Sequence, residues 1–463
     1  MKNILTIFFL ITLNLNLFSQ FQLNIAEYPN TTIAPKSKEI DFSKYELLKK
    51  DGLPRKAFEE LKRLEANALS AKNSKAYWKI LTEIKSIVEQ AQFEEDDQQK
   101  IIWDYAQQVE KLEFPFNNIL HFHLNNWLER NRWNESLFTF DDESLLWPID
   151  GKNVKLTNGD LSDLINYHQK MMMDKPTELM KMELNSILEK TELSEPKSME
   201  SLFEYFAFSI INETEFYSLN INIKDSLYYG YTDELPTAKD FYEPDYFTFQ
   251  LYYHLEKLTL TNKRFDAYAF WVGKRLNQAY QFSTSAYINE FEKERLLNDA
   301  FLRFEELLID SKASALFTLQ IANNFAQKAI NYDWKNNLEP KKNNLLALNK
   351  IDATLKRYPE SDFKNELTNL KNYILSESLN FSLKNELQLD QAILLNINYR
   401  NAKNATFKIF KIENENSSDS KSTSNPLKNY KLSPYYSKEI LFDTDSFYLK
   451  HDIDFILPKL KET

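Results

Sequence analysis

The five histidines and two runs of carboxylates are the side chains here with the chemistry for acid–base work or metal ligation. Their spacing argues against both. His121 and His123 stand two apart in a helix-patterned stretch, which turns them about 200° from each other, so they cannot share one ion in that geometry. His168, His254 and His451 are isolated in sequence, and neither a His-Glu-x-x-His motif nor a cysteine pair occurs. Glu94-Glu95-Asp96-Asp97 and Asp141-Asp142-Glu143 fall in expected helix starts or loops, where acidic side chains complement the helix N-terminus. A Gly-x-Ser-x-Gly turn for a nucleophilic serine is absent. Gly52, Gly151, Gly159, Gly230 and Gly273 are scattered singly, so nothing builds a phosphate loop. No catalytic, cofactor-binding or metal-ligating residue is assigned, and no cofactor is expected.

Charge and compartment narrow the partners. A net charge of -11 and an isoelectric point near 5.3 disfavour binding to a phosphate backbone, which needs clustered Lys and Arg, so nucleic acid is not expected. Met1 to Gln20, with Lys2 before an apolar run from Ile4 to about Leu17, reads as a secretory signal cleaved between Ser19 and Gln20. The chain has no cysteine, which excludes disulfides and a lipid-modified cysteine anchor. The expected product is periplasmic or secreted, with no direct membrane anchor after signal cleavage.

The elements that carry these side chains are mostly helical. Five glycines and 14 prolines among 463 residues, with abundant Leu, Lys, Glu and Asn, favour helices over a many-turned β fold. After an extended lead-in over residues 20–40, Leu53, Ala57, Leu61, Leu64 and Ala68 recur at steps of three and four, as do Tyr77, Leu81, Ile84 and Val88. These predict a helical hairpin entered at Pro54, with Ser74 capping the second helix. Further helices are predicted at Gln99–Glu113, Asn117–Arg130, Leu161–Met173 (capped by Asp160 or Asn158), Pro176–Glu192, Ser198–Thr214, Tyr246–Leu258, Phe265–Tyr280, Ala286–Asp310, Ala313–Ile330, Asn343–Tyr358 and Asp362–Ile374. Asp141 to Ser144 reads as a loop leading to Leu145-Leu146-Trp147-Pro148, and Glu215 to Asp245 as irregular.

Near the C-terminus the period changes to two. Ile393, Leu395, Ile397 and Tyr399 alternate with Leu394, Asn396, Asn398 and Arg400, a half-buried strand. Asn401-Ala402-Lys403-Asn404 suits a reversal, and Thr406 to Ile412 is expected to complete a hairpin. In that strand Phe407 and Ile409 share one face and Phe410 and Ile412 the other, so either both faces are covered or a bulge follows Ile409. Asn414 to Ser424 is a polar loop, and Lys438 to Lys450 offers one or two more strands. From Leu389 onward the strands are fewer than the about 7 in about 100 residues of an immunoglobulin-like sandwich, so the last domain reads as incomplete and the chain as a fragment or truncated form.

The phrases DGLPRKAFEELKRLEANALSAKNSKAYWKIL, Asn131-Arg132-Trp133, the Leu202-Phe203-Glu204-Tyr205 helix and LNINYRNAKNATFKIFKI resemble the N-terminal region of the Bacteroidetes-type bacterial alpha-2-macroglobulin family. Arg357-Tyr358-Pro359-Glu360-Ser361 resembles the ending of a tetratricopeptide-like repeat. The resemblance implies a mainly α fold: a signal peptide (1–19), the lead-in (20–40), a tetratricopeptide-like α-solenoid of helical hairpins (41–382) and a partial antiparallel β-sandwich (383–463). It also implies a non-catalytic docking or spacer module of a periplasmic protease inhibitor or envelope-defence protein, with proteases or envelope proteins as partners. The family's covalent trap needs a thioester cysteine, which this chain lacks. A stand-alone tetratricopeptide-like interaction module is the second expectation. A sugar-binding helical protein using its Tyr and Trp residues is the third, and the missing lipid-anchor cysteine counts against it.

Overall fold

The computed structural model describes residues 23, 25, 27–34, 38–90, 95–131, 146–149, 151–155, 160–188, 199–214, 243–282, 290–332, 337–383, 393–410, 434 and 436–457. It is mainly helical, with a small antiparallel sheet region at the C-terminus. Two compact units divide it, Met1–Leu297 and Asn298–Thr463. The expected boundary at 382/383 falls inside the second unit, after the strand Ser378–Ser382, and this division leaves helices and strands together there.

The first unit carries α1 (Ser43–Lys50), α2 (Pro54–Ser70), α3 (Ser74–Gln90), α4 (Glu95–Val109), α5 (Phe116–Asn131), β1 (Leu146–Ile149), β2 (Lys152–Lys155), α6 (Leu161–Met172), α7 (Pro176–Lys181), α8 (Leu202–Thr214), α9 (Glu243–Thr261) and α10 (Phe265–Phe282). In α2, Pro54 sits in the first turn and Ala57, Leu61, Leu64 and Ala68 are buried, as their three-four spacing requires. Tyr77, Leu81, Ile84 and Val88 of α3 are buried too.

The turn between these helices explains their pairing. Lys72 is left-handed (φ 51°) and the Asn73 N–H reaches back to the Ala68 carbonyl at 2.9 Å, a bond that closes a helix C-terminus on a left-handed residue. Asn73 Oδ1 then accepts the Ala76 N–H at 2.9 Å, so Asn73, not the expected Ser74, caps α3: the carboxamide sits one residue before the first helical position. The same closure recurs at Gly52 (Leu53 N–H to Leu48 O, 3.1 Å) after α1 and at Lys263 (Arg264 N–H to Thr259 O, 2.8 Å) between α9 and α10.

Two expectations are corrected here. The helix expected over Pro176–Glu192 stops at Lys181, because Met182 bridges Ile33 in parallel and Glu183 bridges Ser201 in antiparallel fashion before a 3-10 turn at Leu184–Ser186. Leu146 begins a strand where none was assigned: β1 and β2 form a short antiparallel ladder from Leu146↔Lys155 to Ile149↔Lys152, reversed beside Gly151 at φ 72°. Asp160 stands at the N-cap of α6 without a side-chain cap bond. The fully buried Tyr45, Tyr77, Tyr105, Phe203, Phe206 and Trp271 fill the interior of this unit.

Helix α11 (Glu290–Leu307) runs across the division between the units. The second unit continues with α12 (Ser314–Ile330), α13 (Asn343–Arg357), α14 (Lys364–Leu375), β3 (Ser378–Ser382), β4 (Ile393–Arg400), β5 (Asn404–Ile409), β6 (Tyr436–Leu441) and β7 (His451–Leu457). Ala315, Leu319, Ala322, Ala347, Ile351 and Leu367 join α12, α13 and α14. Leu395, Ile397 and Tyr399 of β4 are buried, as the alternation predicts.

The expected hairpin between β4 and β5 does not form. Strand β4 pairs with β3 on one side and β7 on the other, while β5 pairs with β6 in a separate ladder. Asn401, left-handed at φ 58°, therefore turns the chain out of one sheet and into another. Leu395, Ile397 and Tyr399 share one apolar cluster with Ile440 and Phe442, and the Tyr399 and Phe442 rings stack at 4.3 Å. Strand β5 ends at Ile409 with Ala405, Phe407 and Ile409 half-buried between exposed neighbours. The signal segment Met1–Gln20, Arg132-Trp133, Asp141–Ser144, the stretch 215–242, the polar loop Asn414–Ser424 and Ile412 lie outside the described residues.

Candidate functional site

Helix α5 presents Asn118, His121 and Asn125 at steps of three and four, a stripe that an apolar pattern would fill with Leu or Ile. All three are buried. Asn118 Nδ2 donates to the Met172 carbonyl (3.2 Å) and the Asp174 carbonyl (2.8 Å), which satisfies the otherwise orphaned end of α6. One turn on, His121 Nδ1 and His168 Nδ1 are 2.7 Å apart, so one ring donates and the other accepts. The next turn brings Asn125 Nδ2 to Glu213 Oε2 at 2.8 Å. The same oxygen accepts Gln169 Nε2 at 3.1 Å, and Glu213 Oε1 accepts the Ser209 hydroxyl at 3.1 Å. Helices α5, α6 and α8 therefore meet on one polar seam.

Burial sets the protonation states along it. His121 is pushed down to about 3 and His168 well below its ordinary value, in both cases because the interior disfavours the imidazolium; for His168 the neighbouring His121 adds to the effect. The pair is neutral at pH 7. Glu213 is pushed up to about 7, first by burial and then by Glu129, while the Asn125, Gln169 and Ser209 donors oppose the rise. Its carboxyl gains and loses a proton near neutrality, yet the histidines beside it are shut between helices, with His168 0% exposed. What the seam does is hold three helices in register through bonds that lose their value if one helix slips.

The other singled-out residues are placed apart. His123 faces away from His121, its ring 4.8 Å from Trp78. His254 Nδ1 meets the Tyr28 hydroxyl at 2.8 Å, and His451 Nε2 meets Asp445 Oδ2 at 2.9 Å. Glu95, Asp96 and Asp97 open α4, and Glu94 lies outside the described residues. Gly52 and Gly151 occupy turns with positive φ, Gly273 lies within α10, and Gly159 and Gly230 are outside the described residues. Among the described residues no group of three or more His, Cys, Asp or Glu side chains is placed to hold a metal ion. The His121–His168 contact escaped sequence reasoning because the partners are 47 residues apart; the signal was the polar stripe on an otherwise apolar helix. No protein-family model matches this sequence, and no curated protein or solved structure is significantly similar to it.

Proposed function

We propose that this chain is a non-catalytic protein-docking module, the N-terminal part of an exported alpha-2-macroglobulin-like protein that acts on proteases or guards the cell envelope. One observation carries the reading: α1 packs on α2, α2 on α3 and α9 on α10, each pair joined by a tight left-handed turn, and such helical hairpins are the units that tetratricopeptide-like arrays stack. Such arrays present continuous surfaces to other polypeptides. The most connected polar cluster supports it as well, since its histidines are enclosed and it joins helices to one another. The antiparallel strands at the C-terminus support the macroglobulin-like part of the proposal. An alternative reading, a stand-alone interaction module of the envelope, is favoured by the face of α9, whose Gln250 and Asn262 bond the main chain of Leu23 and Pro29.

The test mixes the purified chain with a panel of proteases and follows co-elution, cleavage of a large protein substrate and cleavage of a small peptide substrate. Co-elution with a protease, with the large substrate protected and the small one still cleaved, is the expected result. A chain that co-elutes with no protease but binds an envelope protein in the same format would replace the first reading by the second. Turnover of a substrate by the chain alone would overturn both.

A further inference from the structure

Among the described residues of the lead-in, Leu23, Ile25 and residues 27–33 form a strap on the helical unit, bonded through the main chain at Leu23, Pro29 and Ile33 and through the side chain at Tyr28. The Leu23 N–H donates to Gln250 Oε1 at 2.8 Å, and Asn262 Nδ2 donates to the Pro29 carbonyl at 2.8 Å. Between them the Tyr28 hydroxyl meets His254 Nδ1. Further on, the Ile33 N–H bonds the Lys181 carbonyl at 2.6 Å and the Ile33 carbonyl accepts the Glu183 N–H at 3.2 Å. Gln250 and His254 are one turn apart on α9, and Asn262 directly follows the helix two turns later, so the three form a ladder along one face.

The dimensions agree. Gln250 to Asn262 spans about 18 Å of helix at 1.5 Å per residue, and Leu23 to Pro29 spans about 20 Å when extended at 3.3 Å per residue. A chain lying parallel to α9 therefore reaches both end rungs, and the long Tyr28 side chain reaches back to the middle one.

Three side chains anchor it, Leu23 in the core and the half-buried Ile25 and Tyr28 packed against that core, whereas Asn30, Thr31 and Ile33 are exposed. Gln250 is fully buried, and its Nε2 has no protein partner, nor has Asn262 Oδ1, so each carboxamide offers a second bond that the strap leaves unused. A strap held by main-chain bonds and three side chains can be replaced by another chain that offers the same bonds and the same three anchors.

We propose that the Gln250–His254–Asn262 face of α9 is a groove for an extended segment of a partner polypeptide, one with aliphatic side chains at the places of Leu23 and Ile25 and a tyrosine at the place of Tyr28, and that the strap occupies it in the free protein. Recognition is by backbone, with specificity from those three side chains, a mode in which the occupant's entropy of ordering is borne in advance by the tethered strap. The proposal rests on the docking reading and names the surface. Its test needs no protease or envelope protein, so the two can fail separately.

A site-specific protease sequence inserted between Pro35 and Lys38 of the full chain lets the strap be cut after folding. The cut protein is incubated with a fluorescent peptide of residues 20–34, and exchange is read by anisotropy while circular dichroism checks the fold. The expected result is saturable replacement of the strap, weakened at least about tenfold by Gln250→Ala with Asn262→Ala and several-fold by Tyr28→Phe in the peptide. A cut strap that stays in place with the fold intact, or a protein that unfolds on cutting, makes the strap part of the core and overturns the proposal. Replacement unaffected by the two α9 substitutions overturns the ladder.

Discussion

In the first unit Glu60, Glu65, Glu204 and Arg275 are buried, and so are four histidines, His121, His123, His168 and His254. In the second, the buried polar side chains among the described residues are Ser314, Thr318, Asn344 and Ser361, all neutral, and the pairs Lys312–Asp362, Arg357–Asp310 and Lys371–Asp352 lie at the surface. A buried charge is tolerated only with its partner in place, so the first unit obtains a specific arrangement at the cost of sensitivity to any change in charge. The second relies mainly on apolar packing between α12, α13 and α14 and within its strands, with one partly buried pair, Lys350–Glu305, whose carboxylate also accepts the Thr318 hydroxyl at 2.6 Å.

The largest expected difference is in pH dependence. Below 6.5 the unfolded chain takes up protons that His121, His123 and His168 refuse in the fold, so stability of the first unit falls as pH drops from 6.5 toward 3. His121 and His123 each cost on the order of 1 kcal/mol per pH unit in that window, and His168 acts in the same direction. Glu213 works the other way: between 4.5 and 7 the folded state keeps a proton that the unfolded chain releases, so its contribution falls as pH rises through that range. Glu213→Gln therefore steepens the loss on acidification. Hydrogen exchange mapped by residue at pH 7, 6 and 5 should show protection declining in the first unit and changing little in the second; equal slopes would remove the contrast.

A smaller effect is expected from Glu204→Ala. Glu204 accepts the Ser201 N–H and hydroxyl at 3.0 Å each at the start of α8 and pairs with Arg264 at 3.0 Å. Losing the cap and leaving the largely buried guanidinium without this partner should cost about 3–5 kcal/mol. Urea unfolding should show the shift in the first unit alone. Smallest is Lys371→Ala, which removes an exposed pair with Asp352 and should change stability by less than about 0.5 kcal/mol. A loss of several kcal/mol there would mean that the second unit also depends on its charges.

The sequence carried the helices well because a three-four apolar period is a local property: α2, α3, α12 and α13 begin and end within a few residues of where the pattern begins and ends. The strands were legible as strands but not as partners. A period of two assigns Leu395 and Ile397 to the buried face and leaves open whether the next strand or one some fifty residues later lies beside it. Asp150-Gly151 between two short runs was an overlooked signal for β1–β2. The end of α7 at Lys181 was hidden for another reason: bridges to Ile33 and Ser201, distant in sequence, override a helical pattern. The seam lies between these cases, since its stripe on α5 could be read and its partners on α6 and α8 could not.

The departure of the chain from β4 into a different ladder at Asn401 has a kinetic consequence. Pairing β4 with β7 joins Leu395 to Phe455 and Tyr399 to His451, and β5 waits for β6 in the same way. Closing loops of that length carries an entropic cost that a two-residue hairpin avoids, and long-range pairings slow folding. During synthesis α12, α13 and α14 can assemble from neighbouring sequence while β4 stays unpaired on its β7 side until residues 451–457 have emerged. Over that interval the row of free backbone groups on β4 is open to wrong partners.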